Sequence, residues 1–167
     1  MPRPKVSSTM GAVILDKETE MKASATIEIN KPLKEVWAYI ADLRTMEKWV
    51  DGVSDVKLAS QGPLAAGTAF SSKYTYQGKT YDYEYVVTEV AAPFRMSMKS
   101  TKGPFPFQGW FELQEAGKGT RCINTIYAGS DSFMTTLIFI LMWPLVRMMM
   151  RKRITKELVT LKGILEK

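Results

Sequence analysis

Six short strand-like segments in an unbroken row, followed by one long helical segment, constrain the fold of this chain more than any other feature. Turn residues such as Gly62-Pro63, Gly103-Pro104 and Gly117-Lys118-Gly119 separate the segments. Short strands joined by tight turns are typical of an antiparallel meander. The predicted spans are Val53–Ser60, Thr68–Gln77, Thr80–Ala91, Arg95–Thr101, Phe107–Glu115 and Thr120–Ala128.

The segments on either side of the meander complete the order of elements. Lys22–Ile29 alternates apolar and polar residues, which predicts a further strand. Two short helices follow it, the second over Leu43–Trp49. From Asp131 or Ser132 the chain predicts one long helix, in which Pro144 favours a kink. We therefore predict an α+β fold in which a curved antiparallel sheet of about seven strands wraps around the C-terminal helix.

A strongly curved sheet leaves volume that one helix does not fill, so this order of elements favours an internal cavity. The strand alternation places tyrosines, phenylalanines and methionines on one shared face, and we expect them to hold an apolar ligand. The alternative is that the same side chains fill an ordinary core. The predicted ligand-binding residues are Phe70, Tyr74, Tyr76, Tyr81, Tyr83, Tyr85, Met96, Met98, Phe107, Phe111, Ile138 and Met142.

Composition excludes several classes of chemistry. The 167 residues contain no histidine and a single cysteine, Cys122, so histidine-based triads and an internal disulfide are ruled out. We expect no metal and no cofactor, and a cytoplasmic protein. The net charge of +6 is concentrated in the segment from Arg147 onward, where seven basic and two acidic residues lie. Because no nucleic-acid-binding motif accompanies these charges, we do not expect a nucleic-acid partner.

The C-terminal segment allows two interpretations. Residues 133–143 are apolar nearly all round, and Arg147, Arg151, Lys152 and Arg153 follow them. This succession is typical of peripheral contact with a membrane or docking of a partner. It also suits a helix buried in the sheet with a solvated basic end. At the other terminus, residues 1–20 predict a loosely ordered extension before a domain over 21–167.

Several motifs together resemble the START-like, helix-grip superfamily, and its polyketide cyclase/dehydrase and lipid-transport branch in particular. They are Ile29–Asp42, Trp49, Gly67, Glu89–Met96, Gly119-Thr120-Arg121 and Leu161–Glu166. The resemblance implies a helix-grip fold over Met21–Lys167. It also implies a ligand cavity, because members bind sterols, phospholipids, quinones, polyketides or plant hormones, and a few catalyse reactions. No catalytic residue of the family can be transferred to this chain.

The sequence leaves three functions open. We expect binding, carriage or sensing of a hydrophobic small molecule or lipid. The alternatives are a small cyclase- or hydratase-type enzyme in the same cavity and an interaction protein that docks through its methionine-rich helix. An enzyme needs an inward acid or base. The tyrosines, Asn124 and Glu89 are the candidates, whereas Asp82 and Glu84 are expected on the outer face and Cys122 in the core.

Overall fold

The computed structural model describes residues 22–128 and 133–167, and the side chains of 128–141 lie outside that description. The predicted N-terminal extension, residues 1–20, therefore lies outside it as well. The strands are β1 (Lys22–Ile29), β2 (Val53–Leu58), β3 (Ala69–Tyr76), β4 (Lys79–Ala91), β5 (Arg95–Lys102), β6 (Phe107–Ala116) and β7 (Gly119–Ala128). The helices are α1 (Leu33–Ala41), α2 (Met46–Trp49), which follows a 3₁₀ turn at Leu43–Thr45, and α3 (Phe133–Leu165).

The seven strands form one curved antiparallel sheet in the order β1-β7-β6-β5-β4-β3-β2. Strands β2 to β7 form the predicted meander, and β1 pairs with β7, where Ile27 lies opposite Cys122. The predicted fold class is thus confirmed. Gly52, at φ +80°, turns the chain from α2 into β2. A Cβ at that position would lie 2.4 Å from the carbonyl oxygen of Thr75, so the turn requires glycine.

The hydrophobic core lies between the sheet and the helices. α1 buries Leu33, Val36 and Ile40, because a spacing of three or four residues places them on one helix face. The C-terminal half of α3 packs against β1 and α2. It buries Ile154, Leu158 and Leu161, which share one face for the same reason. This packing holds α3 beside the sheet and leaves its opposite face exposed.

A bulge in β4 overturns one predicted orientation. Simple alternation from Tyr85 and Val87 places Glu89 on the inner face, where it was a candidate acid or base. The pairing of β4 with β5 shifts between Val87 and Glu89, so one extra residue reverses the alternation. Glu89 therefore points outward, where it accepts hydrogen bonds from Arg95 Nε at 3.0 Å and Ser97 Oγ at 3.2 Å. It does not face the interior.

Candidate functional site

A cavity of about 240 Å³ lies between the inner face of the sheet, α2 and the middle of α3. Strands β2 to β7 supply one wall, and the two helices supply the other. The segment that joins β5 to β6 contributes its rim. The lining residues are Met46, Trp49, Val50, Val53, Tyr74, Tyr83, Tyr85, Met98, Phe105, Pro106, Phe107, Gly109, Phe111, Asn124, Ile126, Tyr127, Met150, Arg153, Ile154 and Glu157.

Interlocked aromatic rings form the sheet side of this cavity. The Tyr83 and Tyr85 rings stack with centroids 5.6 Å apart, and Phe107 meets Tyr85 edge-on at 6.2 Å. Trp49 of α2 meets Phe111 edge-on at 5.6 Å. Rings packed in this way hold their positions, so the wall is formed before any ligand arrives. Burial raises the pKa of Tyr85 to about 12, which keeps its phenol neutral and able to donate a hydrogen bond.

A gap in the aromatic wall provides part of the cavity's volume. Gly109 lies on the same strand face as Phe107 and Phe111 because the side-chain period of a strand is two. A Cβ built at Gly109 would lie 2.9 Å from Cζ of Phe107. Any side chain at this position would therefore project into space that the cavity and the Phe107 ring share. The glycine keeps that space open.

The structure brings together six of the twelve predicted ligand-binding residues around the cavity, namely Tyr74, Tyr83, Tyr85, Met98, Phe107 and Phe111. Phe70 and Met96 lie on the same face but outside the cavity, since both are buried in the core and Phe70 stacks on the far side of Tyr85. Tyr81, which pairs with Tyr74, packs against the core without lining the cavity. Whether the six contact a ligand remains a prediction.

The other predicted ligand-binding residues lie near the ends of their elements. Tyr76 is exposed because it stands at the last position of β3, beyond the cover that the helices provide. Met142 is exposed on α3, several turns before the part of the helix that packs on the sheet. The side chain of Ile138 lies outside the described residues. Strand alternation identified the inner face correctly, but the cavity occupies only the middle of that face.

A partly buried ion pair on α3 forms the polar side of the cavity. Arg153 Nε donates to Glu157 Oε1 at 2.9 Å, and the Glu157 side chain is 4% exposed. The same oxygen accepts the backbone N–H of Asp51 at 3.2 Å. Arg153 also donates to the Tyr74 hydroxyl and to the Asp51 carbonyl, and its guanidinium lies 4.9 Å from the centroid of the Tyr74 ring. One ion pair thus ties α3 to β3 and to the turn after α2.

Burial raises the pKa of Glu157 above its usual value, and the Arg153 guanidinium opposes that shift. Neither residue was identified as a site residue from the sequence. The sequence groups Arg153 with Arg147, Arg151 and Lys152 as a basic cluster for membrane contact, or as a solvated helix end; the structure instead pairs its guanidinium with Glu157 in the cavity wall. A signal was present, since Glu157 falls on the same helix face as Ile154, Leu158 and Leu161. A charge on an apolar helix face needs a partner, and positions three or four residues away on the same helix can supply one.

The side chains around the cavity suit hydrogen bonding within an apolar site. Asn124 is buried on β7, opposite Phe111, and also lines the cavity. Glu157 is the only buried carboxylate in the part of the chain whose side chains are described. Cys122 is fully buried in the core, and burial raises its pKa to about 12, which suppresses the reactive thiolate. Over the described residues, no three acidic, histidine or cysteine side chains converge as a metal site would require.

Comparisons with known proteins place this geometry in a family. The family described as "Polyketide cyclase / dehydrase and lipid transport" matches residues 20–166. A search of curated proteins found no significant match. Among the helices of residues 22–128 and 133–167, none has an apolar stretch of the length needed to cross a membrane.

Solved structures share the fold at low sequence identity. A protein of Thermus thermophilus superposes with a TM-score of 0.70 at 19% identity, over 86% of this chain and 96% of that one. A START superfamily protein of Mycobacterium smegmatis gives 0.68 at 13% identity, over 87% and 97%. An aromatase/cyclase of a Streptomyces species gives 0.69 at 10% identity, over 87% and 93%. At these identities the likeness establishes the fold alone.

Proposed function

The chain belongs to the polyketide cyclase/dehydrase and lipid transport family, and from that premise we propose that it binds a compact, mainly apolar molecule in the cavity beside α3. The observation that carries the proposal is the cavity itself. Aromatic and methionine side chains line it, and Arg153, Glu157 and Asn124 provide hydrogen-bonding groups. Apolar walls with a few fixed polar groups are the usual composition of a small-molecule site.

The size of the cavity narrows the proposed ligand class. Its volume of about 240 Å³ is below the roughly 300–1,000 Å³ of sites that hold drug-sized ligands. A molecule of one or two rings is therefore favoured over a phospholipid with two acyl chains. The polar groups favour a ligand that carries a hydroxyl or carbonyl oxygen, because Arg153 donates hydrogen bonds, Glu157 accepts them and Asn124 does both.

Two glycine variants test the proposal as a matched pair. Gly109→Val places a side chain in the cavity, whereas Gly62→Val adds the same group where a Cβ meets nothing within 4 Å. We expect the fluorescent dye 2-naphthol, a two-ring probe with one hydroxyl, to bind the wild type and Gly62→Val, and to lose most of its affinity for Gly109→Val. Thermal unfolding would confirm that both variants are folded. Equal affinity for all three proteins would mean that the dye does not occupy this cavity.

A second candidate function is proton-transfer catalysis in the same cavity, of the kind that a small cyclase or hydratase performs. The observation that favours it is Glu157, a buried carboxylate at the cavity wall whose pKa burial raises, as a general acid or base near neutral pH requires. The solved aromatase/cyclase with the same fold makes this chemistry a natural second candidate.

Mass spectrometry would separate binding from catalysis. The protein is purified under native conditions, and any small molecule released from it is returned to fresh enzyme. A carrier returns the molecule unchanged in mass and isomeric form. An enzyme converts it, and Glu157→Gln, which keeps the shape of the side chain, should bind the molecule without converting it. Conversion at the same rate by Glu157→Gln would remove Glu157 from the mechanism.

A further inference from the structure

An exposed apolar patch on α3 belongs neither to the core nor to the cavity. Met142, Leu145, Met148 and Met149 are between 44% and 53% exposed, and all four lie within eight residues of one helix. Val159 is exposed on α3 as well, but it lies ten residues beyond Met149, and the remaining large exposed apolar residues of the described chain, Tyr76, Phe94 and Phe105, lie outside α3. Single exposed apolar side chains are ordinary on soluble proteins, but a cluster of four marks a contact surface.

Helix geometry places most of this patch on the side of α3 that faces away from the sheet. At about 100° per residue, Leu145, Met148 and Met149 lie within one arc of about 100°. Ile154, Leu158 and Leu161, which are buried against the sheet, occupy the opposite side. The patch therefore does not belong to the hydrophobic core, and a small shift of α3 against the sheet would not cover it.

Basic side chains lie along the Met148 edge of this surface, with Lys152 inside its arc, Arg151 about 60° beyond Met148 and Arg147 about 100° beyond it. Arg147, Arg151 and Lys152 are exposed, and none of them forms an ion pair with the described residues. The three line a shallow depression together with Met148. Arg153 does not belong to this group, because it is paired with Glu157 in the cavity wall, and Lys156 lies 3.5 Å from a carboxylate oxygen of Asp51. In the part of α3 whose side chains are described, the basic residues without an ion pair therefore all lie beside or just after the exposed methionines.

We infer that this surface, formed by Met142, Leu145, Arg147, Met148, Met149, Arg151 and Lys152, docks the protein on an anionic lipid bilayer. Exposed Met and Leu side chains can enter the boundary between headgroups and acyl chains, while Arg and Lys meet the phosphates. Charge complementarity selects anionic lipid, and the convex helix surface suits a deformable bilayer. The helix lies on the membrane and does not cross it.

The position of the surface connects docking to the cavity. Met150 lines the cavity and directly follows Met149 in the helix. Phe105, which is 58% exposed, lines the cavity rim from the β5–β6 connection. The patch thus adjoins the cavity along α3, and we expect a protein docked through it to hold the cavity close to the bilayer. An apolar ligand would then pass between membrane and cavity without crossing bulk water.

Sedimentation with vesicles tests the inference, and it does not depend on whether the cavity holds a ligand. The probe is a vesicle of equal parts phosphatidylserine and phosphatidylcholine, with pure phosphatidylcholine as the reference. We expect binding to the anionic vesicles at about 0.1 M salt and its loss at about 1 M, where the Debye length falls from about 10 Å to about 3 Å. A basic residue at an anionic surface contributes about five-fold in affinity, so three contribute on the order of 100-fold.

Two triple variants, each lacking three positive charges, show whether vesicle binding depends on this surface or only on the net charge of the protein. Arg147→Gln/Arg151→Gln/Lys152→Gln should lose on the order of 100-fold in vesicle affinity. Lys34→Gln/Lys99→Gln/Lys118→Gln removes three exposed charges on other elements and should retain it. Leu145→Gln/Met149→Gln should also lose binding, with an unchanged unfolding temperature. Equal losses in the two charge triples, or no wild-type binding, would overturn the inference. So would a wild-type dimer that Leu145→Gln/Met149→Gln converts to monomer, because the patch would then join two copies of the chain.

Discussion

The Arg153–Glu157 pair gives the sharpest test of how α3 is held. Arg153→Met keeps most of the unbranched stem and removes the guanidinium, which leaves the nearly buried carboxylate of Glu157 without its partner. Breaking a buried ion pair from one side typically costs about 3–5 kcal/mol. Because the Arg153 side chain is 33% exposed, water can partly replace it, and we expect the lower end, about 3 kcal/mol. For a chain of this length that lowers the unfolding temperature by about 6–12 °C.

The pH dependence of this loss follows from Glu157. Arg153 opposes the rise in the pKa of Glu157 that burial causes, so removing Arg153 raises that pKa further. An acid whose folded pKa lies above its unfolded value stabilises the fold fully below the unfolded pKa, and the contribution is lost as pH rises through the folded pKa. The loss in Arg153→Met should therefore be largest near pH 7 and shrink as the pH falls toward about 3, where Glu157 is neutral in both states.

Urea unfolding, followed by tryptophan fluorescence at several pH values, would measure this effect. Lys156→Met is the matched control, because Lys156 forms an exposed ion pair with Asp51 from the same helix. We expect that control to lose under about 1 kcal/mol. In a Glu157→Gln background, Arg153→Met should reduce the free energy of unfolding much less than in the wild type, because no buried charge is left without a partner. A loss equal to that of Lys156→Met, or one independent of pH and of Glu157, would refute the reasoning.

Three further predictions concern the core and the turns. Leu158→Ala should reduce the free energy of unfolding by about 2–5 kcal/mol in the same urea assay, because Leu158 is fully buried between α3 and the sheet. Gly52→Ala should lose about 1–3 kcal/mol, since φ is +80° there and a Cβ would meet the Thr75 carbonyl oxygen; Gly62→Ala, which a Cβ does not crowd, should be close to neutral by comparison. Cys122 should resist a thiol reagent in the native protein and react only after unfolding, because burial raises its pKa to about 12; rapid native labelling would contradict its burial.

The sequence was informative about the fold because the fold depends on local patterns. Alternation within strands such as Lys22–Ile29 and glycine- or proline-containing turns between them predicted all seven strands, and each observed boundary lies within two residues of the prediction. These signals concern neighbouring residues, and tertiary contacts then select the same arrangement. The family motifs, spread along nearly the whole chain, pointed to the same fold.

The candidate site was less predictable because it depends on distant contacts. The bulge after Val87 reverses the alternation of β4, and no local pattern in the sequence marks where such an extra residue falls. Glu157 and Arg153 look like ordinary helix charges until α3 is placed beside Asp51 and Tyr74. Tyr76 lies on the inner face of β3, as alternation predicts, but it stands beyond the helices that enclose the cavity. Alternation along a strand identifies which face a side chain is on, whereas the extent of a cavity on that face depends on how far the neighbouring helices and strands reach.

The strand order also determines when the sheet can be completed during synthesis. Strand β1 is made first and paired last, because its partner β7 lies at the far end of the meander, and the bond between Ser24 and Thr125 joins residues 101 apart. At about 5–20 residues per second, the ribosome needs roughly 5–20 s to deliver that partner. Strands β2 to β6 can form hairpins as they emerge, whereas β1 waits with an open edge that can pair with other chains. The edge of β1 that β7 will cover thus stays open until β7 emerges, and α3 is made only after the sheet can close.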